Sequence, residues 1–178
     1  MKKFIKVSAL LIIVALIILQ FFKPVTENPP DEKAKFITAK LQISDNVYQK
    51  LEKSCFDCHS HRTVWPWYSK ISPVVYLINK DVVEGREHMN FSVWTDYDKT
   101  RMIDKLEGIV TEVEDGEMPL AVYTPMHPEA KLSDADKKLI TDWAKNAKEL
   151  LLAGTVNSGS GMTGENHGSD TEEQEHQD

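Results

Sequence analysis

Apolar residues recur every three to four positions in four segments between residues 44 and 153, and none of these segments alternates as a strand would. This spacing predicts an all-α fold. The first helix follows Ser44-Asp45, a pair that favours a helix start. Its apolar residues Val47, Leu51 and Cys55 lie four positions apart and therefore share one face.

Three further helices follow from the same pattern. One opens at Ser72-Pro73 and is expected to end at Gly85. The next extends from about residue 96 to residue 114, and the last from Ser133 to about Leu152. The residues expected to face inward are Val74, Leu77, Ile78, Val82, Met102, Ile103, Leu106, Ile109, Val110, Val113, Leu139, Ile140, Trp143, Ala147 and Leu150.

The N-terminal segment is apolar from Val7 to Phe22, apart from Ser8 and Gln20, and it follows Lys2, Lys3 and Lys6. About 20 such residues cross a bilayer. We therefore expect residues 1–23 to form a transmembrane helix and signal anchor in the inner (cytoplasmic) membrane. A cleaved signal peptide is the alternative, but the segment lacks small residues of the A-x-A type at its end. The lysines predict a cytoplasmic N-terminus and a domain that faces the periplasm or the outside.

Composition divides the rest of the chain into three parts. Residues 24–34 are polar and contain three prolines, as in a tether, and residues 35–153 are long enough for one helical domain. Residues 154–178 contain six acidic residues and no Lys or Arg, so we expect a disordered acidic tail. The net charge of −7 favours partners with basic surfaces, and no nucleic-acid partner is expected.

The clearest chemical motif is Cys55-Phe56-Asp57-Cys58-His59, which has the C-x-x-C-H pattern of covalent c-type haem attachment. Two thiols on one side of a helical turn are placed to add to the two vinyl groups of a porphyrin. The imidazole of His59 then becomes an axial iron ligand. Both cysteines of the chain lie in this motif, which predicts one haem c and export from the cytoplasm.

The second axial ligand decides what such a haem does, because a closed iron carries electrons whereas an open iron binds ligands. We favour Met118, which lies in the loop Asp115-Gly116-Glu117-Met118-Pro119 between two predicted helices. Met126 is the second choice. Four other residues with suitable donor atoms are Met89, His61, His88 and His127.

Several motifs together resemble the bacterial haem-binding domain family, a c-type-cytochrome-like group of small exported or membrane-anchored proteins. They are CxxCHS, WPWY at 65–68, the Ser-Pro helix start, EGREH at 84–88, MPL at 118–120 and YTPMHPEAKLSDADKKLITDWA at 123–144. The resemblance covers about residues 35–150. It implies a cytochrome-c-like helical domain with haem on Cys55, Cys58 and His59, and Met118 matches the axial methionine of small c-type cytochromes.

Three functions compete at this point. The first is a membrane-anchored monohaem cytochrome that transfers electrons between respiratory or exported redox partner proteins. The second is a haem-based sensor or peroxidase-type protein with an open iron site. In the third, Cys55 and Cys58 form a thiol–disulfide pair or bind zinc together with His59 and His61. No acid–base pair is visible, so an enzyme is not expected. The aromatic run Trp65-Pro66-Trp67-Tyr68 is expected to cover the porphyrin.

Overall fold

Each of the four helices predicted from apolar spacing is present. The structure is a computed structural model that describes residues 2–154, and within that range it contains six α-helices, four short 3-10 helices and no strand. The α-helices are α1 (Lys2–Leu19), α2 (Asp45–Ser54), α3 (Phe56–His59), α4 (Val74–His88), α5 (Lys99–Asp115) and α6 (Asp134–Leu152). The predicted all-α class is therefore confirmed for this part of the chain, and residues 155–178 of the predicted acidic tail lie outside the described residues.

The core forms where α6 packs against α5 and against α2. The buried apolar side chains of these three helices are Val47, Leu51, Met102, Leu106, Ile109, Val113, Ile140, Ala144, Ala147 and Leu151. Burying a Leu or Ile side chain fully contributes about 1.5–3 kcal/mol, so this cluster is a main source of stability. Leu150 was expected inside but is 43% exposed, since Leu151 takes the inward position one residue later.

Local sequence features define both ends of α5 and the start of α6. The hydroxyl of Ser133 accepts from the backbone N–H of Asp136, and the Asp136 carboxylate accepts from the N–H of Ser133. This reciprocal capping box starts α6 where the sequence predicts it. Helix α5 begins after Asp98, which caps it, and ends at Gly116, whose φ of 79° suits glycine.

Helix α4 differs from its predicted form in two ways. It continues past Gly85 to His88, so the prediction that Gly85 ends the helix is wrong. The N–H of Met89 still donates to the Gly85 carbonyl, as in a continuing helix. Val75 and Val82 are buried, whereas Val74 and Leu77, which were expected to face inward, are 37% and 63% exposed.

The N-terminal segment forms the 18-residue helix α1, in which no residue is buried. Eighteen residues extend about 27 Å at 1.5 Å per residue. Lys2, Lys3 and Lys6 occupy the first turns, so the apolar part is shorter. No helix in the range 2–154 is both long and apolar enough to pass through a bilayer, and the predicted transmembrane helix is not found.

The segment predicted as a tether lies against the helical domain. The Asn28 amide donates to the Thr63 carbonyl over 2.8 Å. The carboxylate of Asp31 accepts hydrogen bonds from Ser92 Oγ and from Arg62 Nε. Burial raises the pKa of Asp31, but these two donors outweigh it and the pKa is lowered. The segment is thus bound next to the C-x-x-C-H motif.

Candidate functional site

A cavity of about 520 Å³ lies between α3, the second half of α4, α5 and the loop after α5. Pockets for cofactors and other small molecules usually measure about 300–1,000 Å³. The four residues proposed from the sequence as haem ligands or attachment points, Cys55, Cys58, His59 and Met118, all line this cavity. Other lining residues are Ile109, Val113, Pro119, Leu120 and Tyr123 on the α5 side, and Asp81, Glu84, Gly85, His88 and Met89 on the α4 side.

The imidazole of His59 is held in the orientation that a metal ligand requires. Its Nδ1 lies 2.8 Å from the carbonyl oxygen of Gly85 and 3.1 Å from that of Met89. Carbonyls only accept, so Nδ1 carries the hydrogen and Nε2 keeps its lone pair. Burial lowers the pKa of His59, although the two hydrogen bonds oppose this, and the ring is neutral at pH 7. A neutral, oriented imidazole with a free Nε2 is suited to iron.

The two cysteines are unpaired thiols. Burial raises the pKa of Cys55 to about 12, and burial together with the charges of Asp57 and Asp81 raises the pKa of Cys58 to about 12. Reactive thiol–disulfide pairs usually have a lowered thiol pKa, so the raised pKa of both cysteines disfavours that alternative. The zinc alternative also lacks a ligand set, because no group of three His, Cys, Asp or Glu residues within 2–154 is arranged to hold a metal ion.

Because Gly85 has no side chain, α4 can approach the C-x-x-C-H motif closely enough for the Gly85 carbonyl to accept a hydrogen bond from His59. A Cβ atom at this position would lie 2.8 Å from the carbonyl oxygen of Cys58 and 3.2 Å from its Cβ. Real Cβ atoms do not approach a backbone oxygen so closely, so only glycine fits here. The sequence suggested a helix end at Gly85; its role is instead the direct contact between α4 and the C-x-x-C-H motif.

Met118 lies in the loop that passes from α5 over the cavity. Its side chain is half-buried, and its backbone N–H donates to the Glu112 carbonyl over 3.1 Å. This hydrogen bond turns the loop back towards the last turn of α5. The thioether is therefore at the cavity, as expected for a candidate axial ligand.

The other candidate ligands divide into two groups. Met89 and His88 also line the cavity, but the Met89 backbone is bound to Nδ1 of His59, on the side of the ring opposite Nε2. Met126, His127 and His61 do not line it. Their surroundings account for this: Met126 is 58% exposed, the His127 ring stacks on Tyr123 with centroids 4.1 Å apart, and His61 Nδ1 lies 2.8 Å from the Pro30 carbonyl.

Asp57, in the middle of the motif, connects it to the loop that carries Met118. Its carboxylate accepts from the N–H of Val64 over 2.8 Å and from the Tyr123 hydroxyl over 2.7 Å. Burial and this carboxylate raise the pKa of Tyr123, so the phenol keeps its proton and donates. The sequence does not predict this hydrogen bond, because residues 57 and 123 are 66 positions apart.

Replacing Tyr123 by Phe removes the hydrogen bond to Asp57 with little change in shape. We expect the free energy of unfolding to fall by about 1.5–3 kcal/mol, as for a hydrogen bond to a charged group. Amide hydrogen exchange in residues 116–124 should also become faster, since the loop loses its link to the motif. Tyr97→Phe is the control, because the Tyr97 hydroxyl accepts from the Asn90 N–H, outside residues 116–124, and its loss should leave that exchange unchanged. Equal exchange in both variants would show that Asp57 does not hold the loop.

Arg86 fixes the chain that follows the motif. Its guanidinium donates to the Ser60 carbonyl, to Thr63 Oγ1 and to Asn28 Oδ1, each over 2.8–2.9 Å. We had expected the aromatic run at residues 65–68 to cover the porphyrin, but it does not lie over the cavity. None of residues 65–68 lines it, and Trp67 is 72% exposed.

Fold and site together define a class of protein: an all-α domain in which a C-x-x-C-H motif and a methionine loop share a cofactor-sized cavity. The model of the haem-binding domain family matches residues 14–146, well over half of the chain, and the protein belongs to that family. Neither the search of curated proteins nor the search of solved structures finds a match. The cytochrome-c-like character of the fold stays a prediction.

Proposed function

We propose that the protein is a monohaem c-type cytochrome-like protein that transfers electrons outside the cytoplasm. The observation that carries this proposal is the shared cavity, which brings together both thiols of the motif, the oriented imidazole of His59 and the thioether of Met118. Family membership supports haem as the group that fills it. Covalent attachment and electron transfer are the parts of the proposal that go beyond the family.

Each residue has a defined task in this proposal. Cys55 and Cys58 would hold the haem through thioether bonds, and His59 and Met118 would be the ligands of its iron. The bound haem supplies an iron that accepts and releases one electron. The carbonyls of Gly85 and Met89 keep the His59 ring oriented, which also increases its basicity as a ligand.

Charge at the cavity indicates the kind of partner. Five acidic residues line it, Asp57, Asp81, Glu84, Asp104 and Glu112, whereas Lys105 is the one lysine among the lining residues. An acidic rim attracts a partner with a basic surface and increases the rate of encounter at low salt. We propose a redox partner protein of this kind.

We also propose that the protein works at the outer face of the cytoplasmic membrane. Thioether attachment at a C-x-x-C-H motif takes place outside the cytoplasm. Helix α1 supports the association with lipid, since Leu10, Leu11, Ile12 and Ile13 are between 54% and 63% exposed. Apolar side chains exposed in this way are stable in contact with acyl chains.

Met118→Ala tests the electron-carrier proposal. With Met118 bound to iron, the oxidised protein should show the weak sulfur-to-iron charge-transfer band in the far red, and the reduced protein should bind carbon monoxide slowly. The variant should lose the band and bind carbon monoxide readily. Met126→Ala is the matched control because Met126 is exposed and outside the cavity. If wild-type protein lacks the band and binds carbon monoxide at once, a sensor or peroxidase-type protein with an open iron site is favoured instead.

A further inference from the structure

An exposed apolar surface lies at the start of α4, and its residues are not among those that line the cavity. Trp67 is 72% exposed, Ile71 42%, Val74 37% and Leu77 63%. We call these four residues the docking face. They lie within eleven consecutive positions that include the first turns of α4. Large apolar side chains exposed this close together in sequence are typical of an interaction site in a folded protein.

The end of α1 is joined to the same part of the domain. The Gln20 amide donates to the Ser72 carbonyl over 3.0 Å and accepts from the Ser72 N–H over 3.2 Å. The hydroxyl of Ser72, a residue only 4% exposed, donates to the Leu19 carbonyl over 3.1 Å. These three hydrogen bonds fix the last turn of α1 beside the first turn of α4.

The residues that follow α1 extend the apolar surface and add positive charge. Phe21 and Phe22 are 81% and 68% exposed. The hydroxyl of Tyr76 donates to the Phe22 carbonyl, and the Lys23 ammonium donates to the Lys70 carbonyl. The docking face is thus continuous with α1 through Phe21 and Phe22, and two lysines lie at the junction.

This combination favours lipid over a protein partner. A protein groove covers one stripe of a helix, whereas α1 exposes apolar side chains around its whole circumference, with no buried residue. Tryptophan prefers the boundary between acyl chains and headgroups, where its ring is amphipathic. Lysines at that boundary are attracted to anionic headgroups. Trp67 and the pair Lys23 and Lys70 match these two preferences.

We propose that the docking face lies in the boundary region of an anionic lipid bilayer, next to α1, and so fixes the orientation of the domain on the membrane. The proposal rests on the membrane association proposed above. No residue of the docking face lines the cavity, which begins on α4 at Asp81, four residues or about 6 Å beyond Leu77 along the helix axis.

The test uses the full haem-loaded chain in vesicles of phosphatidylethanolamine and phosphatidylglycerol. The vesicles contain a trace of phospholipid with a photoreactive group in its acyl chain. After illumination, mass spectrometry maps the labelled residues. We expect label in α1 and also in residues 67–77. Leu77→Glu should reduce the label in residues 67–77 at least fivefold and leave that in α1 unchanged. Leu152→Glu is the control, because Leu152 is 58% exposed at the end of α6, and its labelling should equal that of wild type.

Two outcomes would overturn the docking proposal. Label in α1 alone would show that the membrane holds the helix while the domain stands free of it. No label in either region, together with cross-links between two chains through the docking face, would show that a second copy covers this surface. The visible spectrum of the same samples reports haem binding separately, so failure of docking and failure of the cytochrome proposal are distinguishable.

Discussion

A chain that carries both Cys55→Ser and Cys58→Ser is expected to lose covalent haem completely. Serine hydroxyls form no thioether bonds, and the two thiols are the only ones in the chain. In wild-type protein matured with the haem-attachment machinery, haem peroxidase staining should persist in a denaturing gel. The double variant should show no stain, although its His59 is intact.

His61→Ala is the matched control for the cysteine variant. His61 lies two residues after the motif but bonds to the Pro30 carbonyl and to Asn90, outside the cavity. Haem staining of the His61→Ala variant should equal that of the wild-type protein. Staining retained by the double serine variant would contradict attachment at this motif. Stain lost in His61→Ala as well would indicate a general failure of maturation and not a specific loss of the thioether bonds.

Gly85→Ala is expected to disrupt the contact between α4 and the motif. The added methyl group would lie 2.8 Å from the carbonyl oxygen of Cys58, which is backbone and has little freedom to move. Overpacking of this kind costs about 1–3 kcal/mol. The shift should also weaken the hydrogen bond from His59 to the Gly85 carbonyl. We therefore expect a lower midpoint in urea unfolding of the haem-free chain and a reduced yield of haem-loaded protein.

Gly108→Ala provides the comparison for the stability measurement. Gly108 lies in α5, and a Cβ atom there would meet nothing within 4 Å. Alanine favours a helix over glycine by about 1 kcal/mol, so the haem-free control should be as stable as wild type or more stable. An unchanged urea midpoint in Gly85→Ala would contradict the close approach of α4 to Cys58.

The parts of the fold that follow from local chemistry could be predicted from the sequence. The capping box at Ser133 and Asp136 involves neighbours three residues apart, and the motif with its two thiols and His59 is a local pattern. Met118 was predicted to lie in a loop between two helices, and it lies in that loop and lines the cavity, whereas its role as an iron ligand stays a prediction.

Long-range contacts account for what the sequence did not show. A glycine in a helical sequence occurs both at helix ends and at close contacts between helices. The sequence alone does not separate these two cases, so the approach of Gly85 to Cys58 was missed. The bond from Tyr123 to Asp57 joins residues 66 positions apart. Leu77 was placed inside because it fits a helical stripe, but spacing does not reveal which stripe faces the core.

The most direct test of the central claim is the intact mass of the purified protein under denaturing conditions, after maturation with the haem-attachment machinery. We expect a chain heavier by one haem, with a pyridine haemochrome spectrum of the c type and with haem that stays with the protein after acid–acetone extraction. A chain of unmodified mass, with haem absent or fully extracted, would contradict covalent attachment at Cys55 and Cys58.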